Sequence, residues 1–512
     1  NLFPEAVLKN NLAAGFKRSH LSWYSIDPMF HEHRAITPQH IADDPDATEN
    51  MNVSIINKTD IFPNTQPATG DIMNLPVFNM TYYPKERGMY NYDTTNTVNS
   101  DGDFVDPQER WNGIMRSLTT TNFEETNVEY IQFWMLDPFN EDQELQDPNT
   151  NHTGGDLYFN IGNLSEDVLP DSRKSFENGL PREFSNTENT DQTNWARVST
   201  QQVVVNAFDN DQDTRAAQDV GLDGYNDDKE REAFANYVSW VQNNSTLSQA
   251  AKDKILADVS KDNYNYYRDD RYDSDQQGII RRYKYWNGHE GNSPTPEMSA
   301  KINNEGYPTQ ATNTPDMEDV NRDNNLSESE SYFQYKVSLR QNDLQVGKNF
   351  IINSREYSKG QKEYKWYQFR IPVRNPEKAI NGISDFRSIR FMRMFMRAFE
   401  EETTLRFAKL ELVRGEWRKF RESLTQPGDG VQTDPDLTAF NIGAVNVEEH
   451  DQREPIKYVI PPGILREVDP SQQFQRQLNE QSMTIEVCNL KDGDARAATK
   501  NVGMDMIMYK NL

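Results

Sequence analysis

Residues 388–397, with the sequence SIRFMRMFMR, form the stretch that decides the fold, and residues 405–413, LRFAKLELV, follow it closely. Both stretches have a two-residue period over part of their length, with Arg or Lys between apolar side chains. Successive side chains of a β-strand point to opposite faces. The pattern therefore predicts two adjacent strands whose Arg and Lys side chains point toward water.

The same two-residue period appears in several other short stretches, which are separated by Pro, Gly and Asn. Short strands with such turn residues between them are typical of β-sandwiches and jelly rolls. In this pattern the predicted units resemble the galactose-binding-like jelly rolls of carbohydrate-binding domains. The stretches are residues 130–136, 156–161, 198–205, 332–337 and 366–371.

The patterns divide the chain into successive segments and predict a mainly β protein with minor α content. Residues 1–72 mix short helices with loops, and residues 73–205 form a first β-sandwich. Residues 206–330 are acidic, irregular and partly helical, and they join this sandwich to a second one at 331–425. Residues 426–512 begin a third β unit that the chain truncates. Tandem jelly-roll units of this kind predict a piece cut from a longer protein.

The charge of the chain excludes two classes of partner. Its 54 Lys and Arg residues against 81 Asp and Glu residues give a formal net charge of −27. Nucleic acids and anionic lipid surfaces both require concentrated positive charge, so neither is expected as a partner. The chain also holds 25 Phe, 23 Tyr and 8 Trp, which a disordered acidic chain would lack. No stretch approaches the roughly 20 apolar residues of a membrane-spanning helix.

Cys488 is the only cysteine, which excludes an intrachain disulfide and any zinc site made of cysteines. Its position in an apolar, strand-like run predicts a small buried hydrophobe. Signatures of catalysis are also missing from the sequence, which has no GxSxG, P-loop, HExxH or GxGxxG after a strand. We therefore expect a protein that is not an enzyme.

Residues 319–330 have the ligand spacing of a twelve-residue calcium loop. Calcium takes about six to eight oxygen ligands, and this spacing wraps them around one point. Asn324 stands where such loops usually have Gly, a change that Asn tolerates because it also enters left-handed conformations. The alternative is a solvated acidic turn. The predicted ligands are Asp319, Asn321, Asp323, the carbonyl of Asn325, and Glu330.

Residues 219–230 form a second candidate loop for calcium, with Gly224 at the position that usually requires Gly. Gly221 supplies no side-chain oxygen, so weaker binding is expected here than at 319–330. Ca²⁺ is the cofactor that these two loops suggest. The predicted ligands of the second loop are Asp219, Asp223, the carbonyl of Tyr225, and Glu230.

Residues 264–286 are rich in Tyr and Trp among Arg and Asp. Aromatic faces of this kind stack on sugars or line a peptide groove, and Tyr283, Tyr285 and Trp286 are the candidate binding residues. The alternative is a local aromatic cluster that fixes an irregular segment. Together with the jelly-roll pattern, this run gives a second functional hypothesis, a carbohydrate-binding or glycan-processing module. Fold analogy alone is weak evidence for function.

Several longer phrases contain no general motif and are more specific than composition. They include YYPKERGMYNYD at 82–93, WNGIMRSL at 111–118, YIQFWMLDPF at 130–139, GHEGNSPT at 288–295 and YVIPPGI at 458–464. With these phrases the chain resembles the SprA/Sov family, the giant outer-membrane proteins of the type IX secretion system, across nearly its full length.

The resemblance implies a soluble structural and interaction segment of a very large β-barrel translocon, which passes folded cargo to the cell surface and contributes to gliding motility. The expected partners are the remainder of the translocon barrel, a PorV-like outer-membrane protein, a plug protein and folded secreted cargo. The expected location is the cell envelope at the outer membrane. There the extracellular side is favoured over the periplasmic side, because abundant calcium would fill weak loops. The family has no catalytic residues to carry over.

Overall fold

Two antiparallel β-sheets pack face to face and enclose the largest cluster of buried apolar side chains. The prediction of a mainly β protein with a β-sandwich is therefore confirmed. The computed structural model describes residues 8–32, 36–66, 70–95, 97–143, 153–177, 190–200, 207–209, 211–293, 314–420, 438–451, 457–469, 476–492 and 495–500.

The strands are numbered in chain order through the described residues. They are β1 (Ser19–Tyr24), β2 (Val77–Arg87), β3 (Trp111–Ser117), β4 (Val128–Leu136), β5 (Gly155–Asn163), β6 (Thr190–Gln192), β7 (Arg197–Ser199), β8 (Ser331–Leu339), β9 (Ile351–Lys359), β10 (Lys362–Pro372), β11 (Lys378–Ala379), β12 (Phe391–Arg397), β13 (Thr403–Arg414), β14 (Arg418–Lys419), β15 (Ala439–Asn446), β16 (Val468–Asp469), β17 (Arg476–Gln477), β18 (Gln481–Cys488) and β19 (Ala498–Thr499).

The α-helices are short and lie mostly between β1 and β2 or between β7 and β8. They are α1 (Gln39–Ala42), α2 (Pro45–Glu49), α3 (Lys58–Ile61), α4 (Gln212–Gln218), α5 (Asp227–Ala233), α6 (Ala235–Asn243), α7 (Gln249–Ala257), α8 (Asp270–Ser274), α9 (Ile279–Arg282) and α10 (Val447–His450). The helical content predicted for residues 206–330 is present there. We call the described residues between β7 and β8 the helical segment.

The strands of the two predicted sandwiches interleave in the same pair of sheets. One sheet has the order β1–β2–β13–β4–β10–β9, and the other has the order β11–β8–β5–β12–β3. The structure thus differs from the predicted tandem arrangement, because strands from 73–205 and from 331–425 build one sandwich together. A two-residue period reports that a stretch is a strand, but it carries no information about the partner of that strand. The predicted strand at 198–205 is present only as β7, and residues 201–206 lie outside the described residues.

Phe133 of β4 lies at the centre of the sandwich. Its ring is fully buried and stacks on Phe369 of β10, with 4.8 Å between the ring centroids. The ring of Phe407 in β13 lies 5.5 Å away, and that of Phe159 in β5 of the facing sheet lies 5.6 Å away. Strands from both halves of the chain therefore meet at one side chain. Burying each such ring stabilises the fold by about 1.5–3 kcal/mol.

The helical segment packs on the end of β2. Phe234 lies between α5 and α6 and stacks on Tyr92, with 3.9 Å between the ring centroids. Arg87, the last residue of β2, donates hydrogen bonds to the backbone carbonyls of Asp258 and Val259, which follow α7. The helical segment is therefore tied directly to the six-stranded sheet.

The last described residues form three pairs of strands, β14 with β19, β15 with β18 and β16 with β17. Cys488 ends β18 and is exposed, so the prediction that it is buried is wrong. Within the described ranges β18 pairs with β15 alone. An apolar run in such a two-stranded ribbon forms a strand, but no second layer covers its side chains within the described ranges.

Replacing Phe133 with Ala tests the interleaved core. The cavity left between four strands should lower the free energy of unfolding by about 3–5 kcal/mol, measured by urea denaturation of the full chain. Ile72→Ala is the matched control, because Ile72 is 76% exposed and its truncation should change stability by less than about 0.5 kcal/mol. Equal losses in the two variants would contradict the core assignment.

Candidate metal centre

Three carboxylates from separate parts of the helical segment meet in the interior of the protein. Asp223, Glu230 and Asp262 are each 0% exposed, and one oxygen atom from each lies within 4.8 Å of the others. Asp227 and Glu290, which are half-buried, form a second group of the same dimensions with Glu230. Glu230 therefore belongs to both groups. We call these five residues the carboxylate centre.

A tight turn at residues 221–224 places Asp223 in the carboxylate centre. Gly221 and Gly224 have positive φ angles of 70° and 69°, a left-handed backbone conformation that Gly adopts without strain. A Cβ atom on Gly221 would also overlap the carboxylate of Asp262. Only a residue without a side chain allows the turn to approach Asp262 this closely.

Two further local structures bring Glu230 and Glu290 to the centre. The Asn226 side chain caps α5 by accepting a hydrogen bond from a backbone N–H of its first turn, and Glu230 lies in this turn. The Glu290 N–H donates to the Asp262 carbonyl at 3.0 Å, and the Tyr264 N–H donates to the Glu290 carbonyl at 2.7 Å. This backbone pairing fixes Glu290 beside Asp262 although the two are distant in sequence.

Hydrogen bonds satisfy only part of the carboxylate centre. The Tyr90 hydroxyl donates to Asp262 Oδ2 at 2.9 Å, and the Ser260 hydroxyl donates to Asp223 Oδ2 at 2.7 Å. The Ser260 N–H donates to Glu230 Oε2 at 2.8 Å. Three buried oxygen atoms of the centre accept no hydrogen bond from any described residue: Glu230 Oε1, Asp262 Oδ1 and Glu290 Oε2.

The carboxylates raise one another's pKa. Burial, followed by the nearby Glu230 carboxylate, holds the pKa of Asp223 well above its usual range. The same two causes raise the pKa of Asp262 and bring the pKa of Glu290 to about 10. Burial is also the main cause that raises the pKa of Glu230 to about 7. The charged forms of these groups are therefore unfavourable unless a positive charge joins them.

The basic side chains of α5 point away from the centre. Lys229 pairs with Glu232 at 2.9 Å and Arg231 pairs with Asp228 at 2.5 Å, on the solvent side of the helix. The helix thus directs its cations outward and Glu230 inward. A group of buried carboxylates in this state requires bound protons or a bound cation.

The structure brings together two of the residues predicted for the loop at 219–230. Asp223 and Glu230 both face the centre. Asp219 instead accepts hydrogen bonds from the Ser293 N–H at 2.9 Å and the Ser293 hydroxyl at 2.7 Å. Tyr225 donates its backbone N–H to Asp223 Oδ1 at 2.9 Å. The twelve-residue spacing therefore identified part of a centre that also includes Asp227 of the same stretch and, from later in the chain, Asp262 and Glu290.

Sequence reasoning missed Asp227, Asp262 and Glu290. Asp262 and Glu290 reach the centre through backbone pairing of two distant segments, which loop spacing does not report. Glu290 lies within the phrase GHEGNSPT at 288–295, but that phrase has no metal-binding pattern. The surrounding run of Tyr residues was the only other local signal.

The first predicted calcium loop uses its polar side chains to hold its own backbone. Asp319 accepts hydrogen bonds from the N–H groups of Asp323 and Asn324 at 3.0 and 2.8 Å. Asn321 accepts from the Asp323 N–H at 2.8 Å, and Asp323 accepts from the Asn325 N–H at 2.9 Å. Asn324 has a φ of 67°, the left-handed conformation expected at the usual Gly position. The predicted turn is present, and its role in binding calcium remains a prediction.

Glu330, the last predicted ligand of that loop, takes part in a buried ion pair. Its two carboxylate oxygens accept hydrogen bonds from Arg393 of β12 at 2.9 and 3.0 Å, and one of them also accepts from the Ser165 N–H at 3.0 Å. At the start of the loop, the Lys174 ammonium lies 3.7 Å from Asp319 Oδ2. The loop therefore has basic partners from the protein itself, one of them in a fully paired buried contact.

The three candidate aromatic binding residues pack against the chain itself. Tyr283 is buried and stacks on Tyr24 of β1 with 4.4 Å between ring centroids. Tyr285 is half-buried, and the Lys261 ammonium lies 4.3 Å from the centroid of its ring. This packing favours the local aromatic cluster over a sugar platform. Trp286 is half-buried against Tyr264, Tyr266 and Tyr267.

Comparison with known proteins defines the class of the chain. The SprA_N family, described as motility related/secretion protein, matches residues 236–512. The match begins in α6 and includes every later strand of the sandwich, so a protein of motility or secretion is indicated. The chain belongs to the SprA_N family. A search of curated proteins found no match. Across the described residues, no helix has the length and apolar character needed to cross a membrane.

Glu330→Gln tests the buried ion pair between Glu330, the residue before β8, and Arg393 of β12 within the five-stranded sheet. Removing the charge that faces Arg393 should lower the free energy of unfolding by about 3–5 kcal/mol, measured by urea denaturation. Glu356→Gln is the matched control, since Glu356 pairs with Lys365 at 2.7 Å on the surface and should cost less than about 1 kcal/mol. Similar small losses in both variants would show that Glu330 is not paired as described.

His20 of β1 gives a pH test of the packing around Tyr285. Its buried ring lies 5.4 Å from the Tyr285 ring, and Nε2 donates to the Lys284 carbonyl at 2.7 Å. Burial, then Lys261, lowers the pKa of His20 from 6.5 to about 3, with Lys284 acting in the same direction and Glu86 against it. The folded state therefore binds fewer protons than the unfolded state between these pH values.

The contribution of His20 to stability is accordingly present above pH 6.5 and is lost as the pH falls toward 3. We expect the difference in unfolding free energy between wild type and His20→Gln to shrink when urea denaturation is repeated at about pH 5 instead of about pH 7.5. A difference that stays constant over this range would contradict the burial of a neutral imidazole.

Proposed function

We propose that this chain is a structural and interaction segment, without catalytic activity, of an outer-membrane translocon that conducts folded proteins in type IX secretion and gliding motility. Membership of a family of motility related and secretion proteins supports the general role. The formal net charge of −27 supports the more specific one. A strongly negative, hydrated surface limits non-specific adhesion of passing proteins.

The observation that carries the interaction role is the ribbon of β15 and β18, whose apolar face points to solvent. Met483, Ile485 and Val487 alternate along β18 on one face and are all exposed, and Ile485 is 52% exposed. On the opposite face Ser482 and Thr484 are half-buried and Glu486 is exposed. This arrangement is the reverse of a strand that packs on its own core.

Exposed apolar side chains continue in the loop before β16. Leu465 is 87% exposed and Val459 is 77% exposed. A two-stranded ribbon is marginally stable on its own, and a cluster of exposed apolar residues marks an interaction surface. The proposed occupant of this surface is the remainder of the translocon barrel.

The partners beyond the barrel are a PorV-like outer-membrane protein, a plug protein and folded secreted cargo. The proposed location is the outer membrane with this segment on the extracellular side, where the calcium concentration is high. The apolar ribbon accounts for attachment, and the acidic surface accounts for the passage of cargo.

The test is to introduce Leu465→Asn and Ile485→Asn into the full-length translocon protein. Because both side chains are exposed, the melting temperature of the isolated chain should be almost unchanged. Secretion of cargo, and with it co-purification of the PorV-like outer-membrane protein, should fall at least about tenfold, since the segment loses the apolar anchors that attach it to the remainder of the barrel.

Ile72→Asn is the matched control, because Ile72 is an exposed isoleucine in a different part of the chain. This variant should secrete cargo at the level of the wild type. Normal assembly and secretion in the double variant would rule out the ribbon as the attachment surface.

A further inference from the structure

We propose that the carboxylate centre binds a divalent cation, Ca²⁺ above others, with Asp223, Glu230 and Asp262 as its buried ligands. This inference is independent of the proposed translocon role. It assigns to the helical segment a site in which Asp223 and Glu230 of the loop at 219–230 meet Asp262, which the twelve-residue loop spacing does not contain.

Two buried carboxylate oxygens of the inner group lack a hydrogen-bond donor among the described residues. Glu230 and Asp262 are fully buried, and each keeps one carboxylate oxygen that accepts no hydrogen bond from the described chain. Both residues belong to the group with Asp223, in which one oxygen atom from each residue lies within 4.8 Å of the others. A cation placed among them would use the donors that the protein leaves vacant and would remove the repulsion between the carboxylates.

All the side-chain atoms that the centre offers to a cation are oxygens. The centre offers carboxylate oxygens and a nearby Tyr90 hydroxyl, with no His or Cys side chain among the five residues. Hard oxygen ligands suit Ca²⁺, Mg²⁺ or Mn²⁺ rather than Zn²⁺ or copper. The ligands come from a turn, a helix and two loop segments, and such an irregular set suits Ca²⁺ better than the strict octahedron of Mg²⁺.

The second carboxylate group supplies a path from the surface. Asp227 and Glu290 are half-buried and share Glu230 with the inner group. A cation can therefore meet partly hydrated carboxylates first and then move to the fully buried ones. The same arrangement provides further oxygens to complete a coordination number of about six to eight.

A bound ion at this place would join three segments of the chain to the sandwich. The turn at 221–224 and α5 supply Asp223 and Glu230, and the segment after α7 supplies Asp262. Tyr90, which follows β2, donates its hydroxyl to Asp262 and its backbone N–H to the Ser260 carbonyl at 2.8 Å. The cation would thus act as a structural link that fixes the helical segment on the six-stranded sheet.

The experiment uses the full chain after treatment with a chelator. Ca²⁺ is added in a calorimetric titration, and the melting temperature is measured with Ca²⁺ and with EGTA. Tb³⁺ luminescence excited through tyrosine is the direct probe, because Tyr90 contacts Asp262. The wild type should bind Ca²⁺, melt at a higher temperature with it and give sensitised emission that Ca²⁺ displaces.

Asp262→Asn and Glu230→Gln should weaken binding at least about tenfold, since each removes a charged ligand. Both should abolish the Ca²⁺-dependent rise in melting temperature. In EGTA the two variants should melt at or above the temperature of the wild type, because without a cation the wild-type carboxylates must either repel one another or bind protons. Glu290→Gln, in the half-buried group, is the reserve variant if the other two fail to fold.

Two control variants separate this centre from other acidic sites. Asp323→Asn changes the loop at 319–330, and Asp253→Asn changes an exposed carboxylate of α7. Both should keep the full Ca²⁺ response. The proposal is overturned if the wild type shows no Ca²⁺ binding, or if the Ca²⁺ response persists in the variants of the centre.

Discussion

The pairing of β12 with β3 on one side and β5 on the other is the constraint on which the rest of the structure depends. It requires the two halves of the chain to form one sandwich, as does the position of β13 between β2 and β4. Because β8 also pairs with β5, the helical segment ends at a strand of the same sandwich. Arg87 of β2 also holds the backbone after α7, so the carboxylates of the helical segment can converge at a defined place.

The sequence predicted local structure well and long-range structure poorly, for physical reasons. Residues 130–136, 332–337 and 388–397 all lie in or overlap strands, because the two-residue period is a property of the single strand. The partner of each strand depends on the burial of side chains such as Phe133, to which both halves contribute. Cys488 shows the converse, since an apolar strand is exposed when its neighbours do not cover it.

In the candidate site, too, the sequence predicted the residues that local structure positions and missed those that long-range pairing positions. Asp223 and Glu230 were predicted because a local turn and a helix cap set their spacing. Asp262 and Glu290 were not, because backbone pairing between distant segments sets their positions. The acidity of the chain therefore has two separate uses. Exposed acidic side chains keep the surface negative, whereas those of the carboxylate centre are buried together, where their repulsion requires bound protons or a bound cation.

Native-state hydrogen exchange of the full chain tests the central claim, a single interleaved sandwich, most directly. In mild denaturant, the protected amides of β2 and β4 should open together with those of β12 and β13, at one common free energy, because the four strands form one cooperative unit. Two groups of amides with separate opening free energies, divided between the N-terminal and C-terminal strands, would contradict this account and restore the tandem arrangement.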